Sequence, residues 1–261
     1  AKLFDGYYAN TAVINIDDAH GPKLFDFAKK NEMKVVSTSI KDKNANVYVE
    51  LLSSSLSGCE IEVTICERTG EVDYQEKIQT SLVGDFNCEN IATAIGLAYF
   101  GDIDFEYITK ALNSNIQIPG RLQRVESTGV TFEVFVDYSH TPDALKRAIE
   151  VLKPLAKRVI VVFGCGGDRD KAKRPMMGKI SSELADITVV TSDNPRSESP
   201  TSIIDEIMAG VNNTNLSKVN AITDRAEAIE YALSIATEGD AVLIAGKGHE
   251  TYQEFATRTE N

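Results

Sequence analysis

In the second half of this 261-residue chain, uninterrupted apolar runs alternate with stretches of helical spacing. Val159-Ile-Val-Val-Phe163 and Ala241-Val-Leu-Ile-Ala245 contain no polar position, the pattern of strands covered on both faces. The spacing predicts strands over 131–137, 158–163, 186–191, 217–222 and 240–245, and helices over 142–155, 174–185, 201–210 and 224–236. Such alternation predicts a Rossmann-like, doubly wound domain with a mainly parallel sheet. The first half is less regular. Short β runs at 12–16 and 34–38 flank a helix near 22–31, a βαβ-like start. Stretches 46–53, 59–67 and 72–80 carry apolar and β-branched residues at near-alternating positions, as in an antiparallel meander with one wet face. Ile91, Ala94, Ile95 and Ala98 then share one face of a helix over 88–100, and a second helix is predicted over 104–113. Asn115 to Gly120, with the turn signal Pro119-Gly120, is the predicted linker, dividing the chain into 1–119 and 120–261. The fold class is α/β throughout.

Composition narrows the possible functions. With 43% hydrophobic and 25% charged residues the chain is long enough to bury two cores. It has no apolar run near the roughly 18 residues of a membrane span, and no basic segment followed by an apolar one as in a signal peptide. A cytoplasmic monomer with no membrane partner is expected. Cys59, Cys66, Cys88 and Cys165 show no CxxC spacing, which predicts reduced, buried thiols. A net charge of −12 excludes an extended nucleic-acid surface, so an anionic ligand would have to be held by a few local cations. Four of the six residues from Arg169 to Arg174 are Lys or Arg. Ala1-Lys-Leu-Phe4 has no initiator methionine and reads as the tail of a helix, so the start is expected to be a cut through a longer protein.

Three segments follow predicted strands, where open α/β sheets bind ligands. In Gly164-Cys-Gly-Gly167 the glycines let the backbone turn sharply and approach a ligand, presenting Asp168, Arg169 and Asp170; a plain tight turn explains the same residues. No GxxxxGK[ST] loop and no GxGxxG occur. In Asp193-Asn-Pro-Arg196, Pro195 restricts Asn194 to extended backbone, and Arg196 suits a two-pronged grip on a carboxylate. The alternative is a helix entry capped by Ser199 or Thr201, with Arg196 solvated. Gly246-Lys-Gly-His-Glu250 would read an amine and a carboxylate together. His20 is expected at the surface, and no metal-ligand spacing links the three histidines. Asp137, ending a strand before Tyr138-Ser-His140, is placed to accept ribose hydroxyls, while Thr141 caps the next helix with Pro142 in its first position. Gly84-Asp-Phe-Asn87 and Asn90 would offer amides to a base or phosphate; capping by Asn87 is the simpler account.

Taken in order, GDFNxxN, GRLQRV, DYSHTPDAL, FGCGGDRDKAKRPMMG, TSDNPRSE and AGKGHETYQ resemble the Mur ligase family from residue 1 to about 254, in particular the branch that adds the third amino acid. The resemblance implies an ATP- and Mg²⁺-dependent amide ligase of cytoplasmic peptidoglycan precursor synthesis. ATP would phosphorylate the D-Glu carboxylate of UDP-MurNAc-L-Ala-D-Glu, and an amino acid's amine would attack the acyl phosphate. The Arg of DNPR resembles the meso-diaminopimelate-adding type. By carry-over, Arg169, Asn194, Pro195, Arg196, Gly246 and Glu250 would contact diaminopimelate, with Arg196 on its far carboxylate and Glu250 on its far ammonium. ATP would be met by Asn87, Asn90, Arg121, Asp137, Tyr138 and His140. The family's GTNGKT loop, Mg²⁺ ligands, carbamylated lysine and UDP-binding domain are expected before residue 1. A last helix is expected beyond the chain's end, so this stretch alone is expected to be inactive, with no catalytic or metal residue of its own. The rivals are lysine-adding, D-Ala-D-Ala-adding or folylpolyglutamate-type ligases, and a non-catalytic ligand-binding module.

Overall fold

A computed structural model describes residues 2–7, 9–67, 71–126 and 128–260. Its contacts divide the chain into two compact units, Ala1–Ile116 and Gln117–Asn261. The predicted helix tail at the start is a short 3-10 turn over Lys2–Phe4, with Ala1 outside the described residues.

The first unit holds a five-stranded sheet in the order β1-β2-β3-β4-β5. These strands are β1 (Thr11–Asn15), β2 (Lys34–Ser39), β3 (Val47–Ser55), β4 (Gly58–Ile65) and β5 (Tyr74–Thr80). Helix α1 (Gly21–Lys30) crosses from β1 to its parallel neighbour β2; β2 also pairs with β3 in parallel. From β3 onward the pairing is antiparallel, as the alternating pattern requires. In β4, Ile61, Val63 and Ile65 are buried, while the alternate positions Glu60, Glu62 and Thr64 are only half-buried. The buried face packs with Val47, Val49 and Ile78 against Cys88, Ile91, Ala92 and Ile95 of α2 (Phe86–Tyr99) and Phe105 and Ile108 of α3 (Phe105–Leu112). Truncating a residue such as Ile61 to alanine there costs about 2–5 kcal/mol. Gly96 lets α2 lie close against the sheet: a Cβ on it would stand 2.8 Å from Val13 Cγ1.

The second unit holds six strands in the order β10-β9-β8-β11-β7-β6. They are β6 (Gln123–Val125), β7 (Glu133–Asp137), β8 (Val159–Phe163), β9 (Ile187–Val190), β10 (Val219–Ala221) and β11 (Ala241–Ala245). Between them run α4 (Pro142–Leu152), α5 (Lys173–Leu184), α6 (Pro200–Met208) and α7 (Arg225–Ile235). All pairings are parallel except that of β6, a short antiparallel edge strand that the sequence pattern did not reveal. Every residue of β8 is buried, which accounts for its unbroken apolar run. The strand predicted over 217–222 is trimmed to three residues, because polar Ser217 and Lys218 complete a 3-10 turn over Asn213–Lys218. A hairpin of β12 (Gln253–Glu254) and β13 (Thr259–Glu260) follows. In this strand order β7, β11, β8 and β9 are adjacent and parallel, so the loops leaving their carboxyl ends share one edge of the sheet.

Candidate functional site

Backbone fit sets the frame at that edge. The loop after β8 lies against the loop after β9 so closely that a Cβ on Gly167 would stand 1.9 Å from the Pro195 carbonyl oxygen, and one on Gly164 would stand 2.3 Å from that of Thr191. The Gly167 amide donates to the Asn194 carbonyl at 2.8 Å, closing the contact. Gly246, at φ +109°, turns the chain after β11 beside Asp193, whose Oδ2 would lie 2.8 Å from a Cβ there. The glycines of the two motifs thus let three loops meet.

Charge fills the space they enclose. Asn194 is buried; its Nδ2 donates to Glu250 Oε2 at 3.0 Å, and its Oδ1 accepts from Lys247 Nζ at 2.8 Å and from the Glu254 amide at 3.0 Å. Lys247 is also buried and reaches the same Glu250 oxygen at 3.2 Å. Burial pushes the Glu250 carboxyl up, but the hydrogen bonds from Lys247 and Asn194 outweigh it and hold its pKa below the usual glutamate value. Both bonds fall on Oε2, and Oε1 carries none among the described residues. Arg196 sits in the left-handed region at φ +51°. Its Nη1 donates to the Gly167 carbonyl and its Nε pairs with Glu254 Oε2, each at 2.9 Å. The solvated-arginine alternative is therefore set aside. The helix entry is corrected too: Ser199 precedes α6 without capping it, its hydroxyl bonding that of Thr201 instead.

The basic run at 169–174 differs from the expected patch of free cations. Arg174 is fully buried and bonds Glu198 and Glu206 at 2.8–2.9 Å, and Lys171 pairs with Glu198 at 2.9 Å. Lys173 donates to the His140 carbonyl, and exposed Arg169 donates to the Asp168 carbonyl. Much of that charge therefore braces the loops. Burial pushes the Cys165 thiol up to about 12, which disfavours the thiolate form. All four cysteines are free and buried.

Beside the charged network lies a cluster of rings. Tyr138 packs edge-on to His140 with centroids 4.7 Å apart and tilted to His249 at 5.7 Å, while the Arg121 guanidinium lies 5.3 Å from its ring centre. Gly248 admits the tyrosine, as a Cβ there would stand 2.8 Å from Tyr138 Cβ. Asp137 is turned inward: its carboxylate accepts from the Leu122 amide at 2.7 Å and from the Ser139 amide and hydroxyl. Thr141 caps α4 as predicted, accepting from the Ala144 amide.

The first unit carries the remaining two residues. Asn87 is buried, donating to the Val83 carbonyl at 2.8 Å and accepting from Asn90 Nδ2 at 3.2 Å. The cap of α2 is Asp85, not Asn87, because the helix begins one residue earlier than Asn87 and Asp85 accepts from the Phe86 amide.

Comparison with known families decides the ancestry of this edge. The profile described as "Mur ligase middle domain" matches residues 1–98, and that described as "Mur ligase, glutamate ligase domain" matches residues 120–248. The chain belongs to the Mur ligase family. Among its relatives, a protein of Trichormus variabilis named UDP-N-acetylmuramoyl-L-alanyl-D-glutamate--2,6-diaminopimelate ligase is 42% identical over 98% of this chain and 50% of its own length. A protein of the same name from Caldanaerobacter subterraneus subsp. tengcongensis is 44% identical over 97% of this chain and 50% of its own. A solved structure of a ligase of that name superposes with a TM-score of 0.68 at 34% identity, covering 99% of this chain and 52% of that one. A folylpolyglutamate synthase structure from Thermotoga maritima shares the fold at TM-score 0.64 and 20% identity. The chain spans about half the length of the curated relatives it matches.

Four residues at this edge escaped the sequence reading as members of the candidate site. Lys247 stood in view between Gly246 and Gly248, a bracket that forces a side chain into a tight turn. Asp193 and Glu254 gave no local signal. Arg225 did: as the first residue of α7 it places a cation at the positive end of a helix, where anions are favoured. The misfit has a purpose, since its buried guanidinium donates to the Ser192 carbonyl at 3.3 Å and the Ala245 carbonyl at 3.1 Å, tying the loop after β9 to the carboxyl end of β11. Burial lowers its pKa, with Asp193 and Glu250 opposing that fall.

Proposed function

We propose that these domains serve an ATP-dependent ligase that joins meso-diaminopimelate to UDP-MurNAc-L-Ala-D-Glu in the cytoplasm, and that the edge described above reads the amino acid. Residues 1–119 are the carboxyl-terminal part of the family's middle domain in this reading, and 120–261 the amino-acid-binding domain. One observation carries it: Asn194 bonds Glu250 directly and lies two residues from Arg196, so a carboxylate and a guanidinium stand on one framework. The far end of meso-diaminopimelate carries an ammonium and a carboxylate together. Glu250 would take the first through its uncommitted oxygen, and Arg196 the second through its fork. Pro195 and Gly246 would shape the floor, and Arg169 would reach the ligand from the exposed loop. This order of charges suits a zwitterionic end and leaves Arg196 unanswered by lysine, whose far end is an ammonium alone.

For the nucleotide, Arg121 over the Tyr138 ring, with His140 beside it, would offer a cation and a flat surface to ATP. Asp137 fits a different role from the ribose contact expected of it, since its hydrogen bonds hold Leu122 and Ser139 and so fix the backbone on either side of the ring cluster. In the first unit, taken by itself, Asn87 and Asn90 are read as nucleotide contacts through the amide donors they keep beyond their own bonds. Among the described residues no group of three His, Cys, Asp or Glu is arranged to hold a metal, so no step is assigned here to Mg²⁺. What this chain contributes is binding and orientation of the attacking amine.

Calorimetric titration with meso-diaminopimelate, with L-lysine as control, tests the reading. Heat is expected for the first alone, with Arg196→Ala weakening it by about tenfold or more, the loss of a charge-assisted bond. Equal binding of lysine, or indifference to the Arg196 substitution, would overturn the assignment.

A further inference from the structure

Arg196 already holds a carboxylate. Glu254, in the first strand of the terminal hairpin, places Oε2 2.9 Å from the guanidinium Nε. The pairing is built rather than casual, because the main chain carrying Glu254 is fixed to the same loop. The Arg196 amide donates to the Glu254 carbonyl at 3.0 Å, the Glu254 amide donates to Asn194 Oδ1 at 3.0 Å, and Gln253 Nε2 donates to the Asp193 carbonyl at 2.5 Å. Three successive contacts thus register Gln253–Glu254 along Asp193–Arg196. The two ion pairs of the site differ in access. Lys247 and Glu250 are 9% and 20% exposed at their side chains, whereas Arg196 and Glu254 are 25% and 41% exposed. Water reaches the second pair, which makes it weak and exchangeable. Glu254 pairs with Nε and Gly167 accepts from Nη1, while among the described residues Nη2 makes no hydrogen bond and remains for a second carboxylate oxygen.

We propose that Glu254 is a positioning residue for Arg196: an internal carboxylate that holds the guanidinium until a carboxylate at the far end of the amino acid displaces it, and so sets how tightly that carboxylate is bound. The inference rests on the reading of this edge as the diaminopimelate site. Displacement exchanges one carboxylate for another, so Arg196 is never left without a counter-charge, and an amino acid with only an ammonium at its far end has nothing with which to make the exchange. Lysine, which has no far carboxylate, leaves the Arg196–Glu254 pair intact, so its binding does not depend on Glu254. The hairpin backbone keeps its register during the exchange, since its bonds to Asn194 and Asp193 do not involve the Glu254 carboxylate.

The experiment is a titration of the full chain, its Glu254→Gln and Glu254→Ala variants and Arg196→Ala with meso-diaminopimelate and with L-lysine. Removing the internal competitor is expected to tighten diaminopimelate binding by about threefold in both Glu254 variants, the worth of an exposed ion pair, and to leave lysine unmoved. A merely structural residue would weaken binding when altered, so the sign decides. In parallel, the Arg196 Nε–Hε resonance should shift in Glu254→Gln and should shift again in wild type on adding diaminopimelate. Unchanged or weaker binding in both Glu254 variants, with wild type binding and Arg196→Ala not, would overturn this inference alone. Failure of every variant and the wild type to bind diaminopimelate would overturn it together with the assignment of the site.

Discussion

The network of Asn194, Lys247 and Glu250 and the cluster of Arg121, Tyr138, His140 and His249 occupy one edge of the same sheet and are held by different forces. In the first, each charge is answered by a bond of 3.2 Å or less, and two of the three side chains are buried. The second is assembled from ring contacts, edge-on and tilted, and among the described residues one side-chain hydrogen bond lies within it, from His140 Nδ1 to the Tyr138 carbonyl. Directional bonds in a low-dielectric setting fix distances, as a site must if it is to tell one amino acid from another. Edge-on and tilted ring contacts, which lack directional bonds, tolerate sliding, and that would suit a flat ligand such as the proposed nucleotide. In the proposed reading, selectivity belongs to the first cluster and adaptability to the second.

Substitutions on either side of that divide should separate them. The largest effect is expected where buried charge braces the loops. Arg174→Ala would strand Glu198 and Glu206 without their guanidinium, destabilising the chain by about 3 kcal/mol, read from urea denaturation midpoints. Next comes Lys247→Met, which would remove the ammonium from Glu250 and lower stability at neutral pH by about 2 kcal/mol. Its pH dependence sharpens the test. The Glu250 pKa is depressed on folding, so its contribution is fully present above the ordinary glutamate value of about 4.3 and is lost as pH falls through the lowered one. Asp186 and Asp240 are lowered too, each by hydrogen bonds that outweigh burial, so stability should decline on acidification below about pH 5. In Lys247→Met the decline should be shallower by the share Glu250 held. The smallest effect belongs to the rings: Tyr138→Leu should cost about 1 kcal/mol of stability and move diaminopimelate affinity hardly at all. A Tyr138 variant that abolished diaminopimelate binding would erase the distinction drawn between the clusters.

The parallel strands were legible because burial on both faces leaves no polar residue in Val159–Phe163 or Ala241–Ala245, and their loops followed from where those runs stop. The meander was legible in the strict alternation of β4. Strand β6 was not, since Gln-Arg-Val at an edge has neither alternation nor an apolar run, and its identity as a strand depends on Phe135 and its neighbours across the ladder. At the candidate site, Asn194, Arg196 and Glu250 were legible as residues with chemistry, but their partners were not. Glu254 meets Arg196 from 58 positions away through a hairpin of two-residue strands, too short to leave a periodic trace. The cations of 169–174 misled for the converse reason: composition counts charge, whereas burial of Arg174 against two carboxylates removes it from the surface.

The strand order also has a consequence for how the chain is made. β11 is the last strand of its sheet to leave a ribosome, yet it lies between β8 and β7 and pairs with both. Until residues 241–245 arrive, a nascent second unit consists of two separated ribbons with bare apolar edges at the centre of the future sheet, and such edges recruit other strands. A message cut short before Ala241 would therefore yield a sticky intermediate with no amino-acid site, rather than a weakened one. Chaperone dependence during synthesis should concentrate in the interval between the emergence of β8 and that of β11.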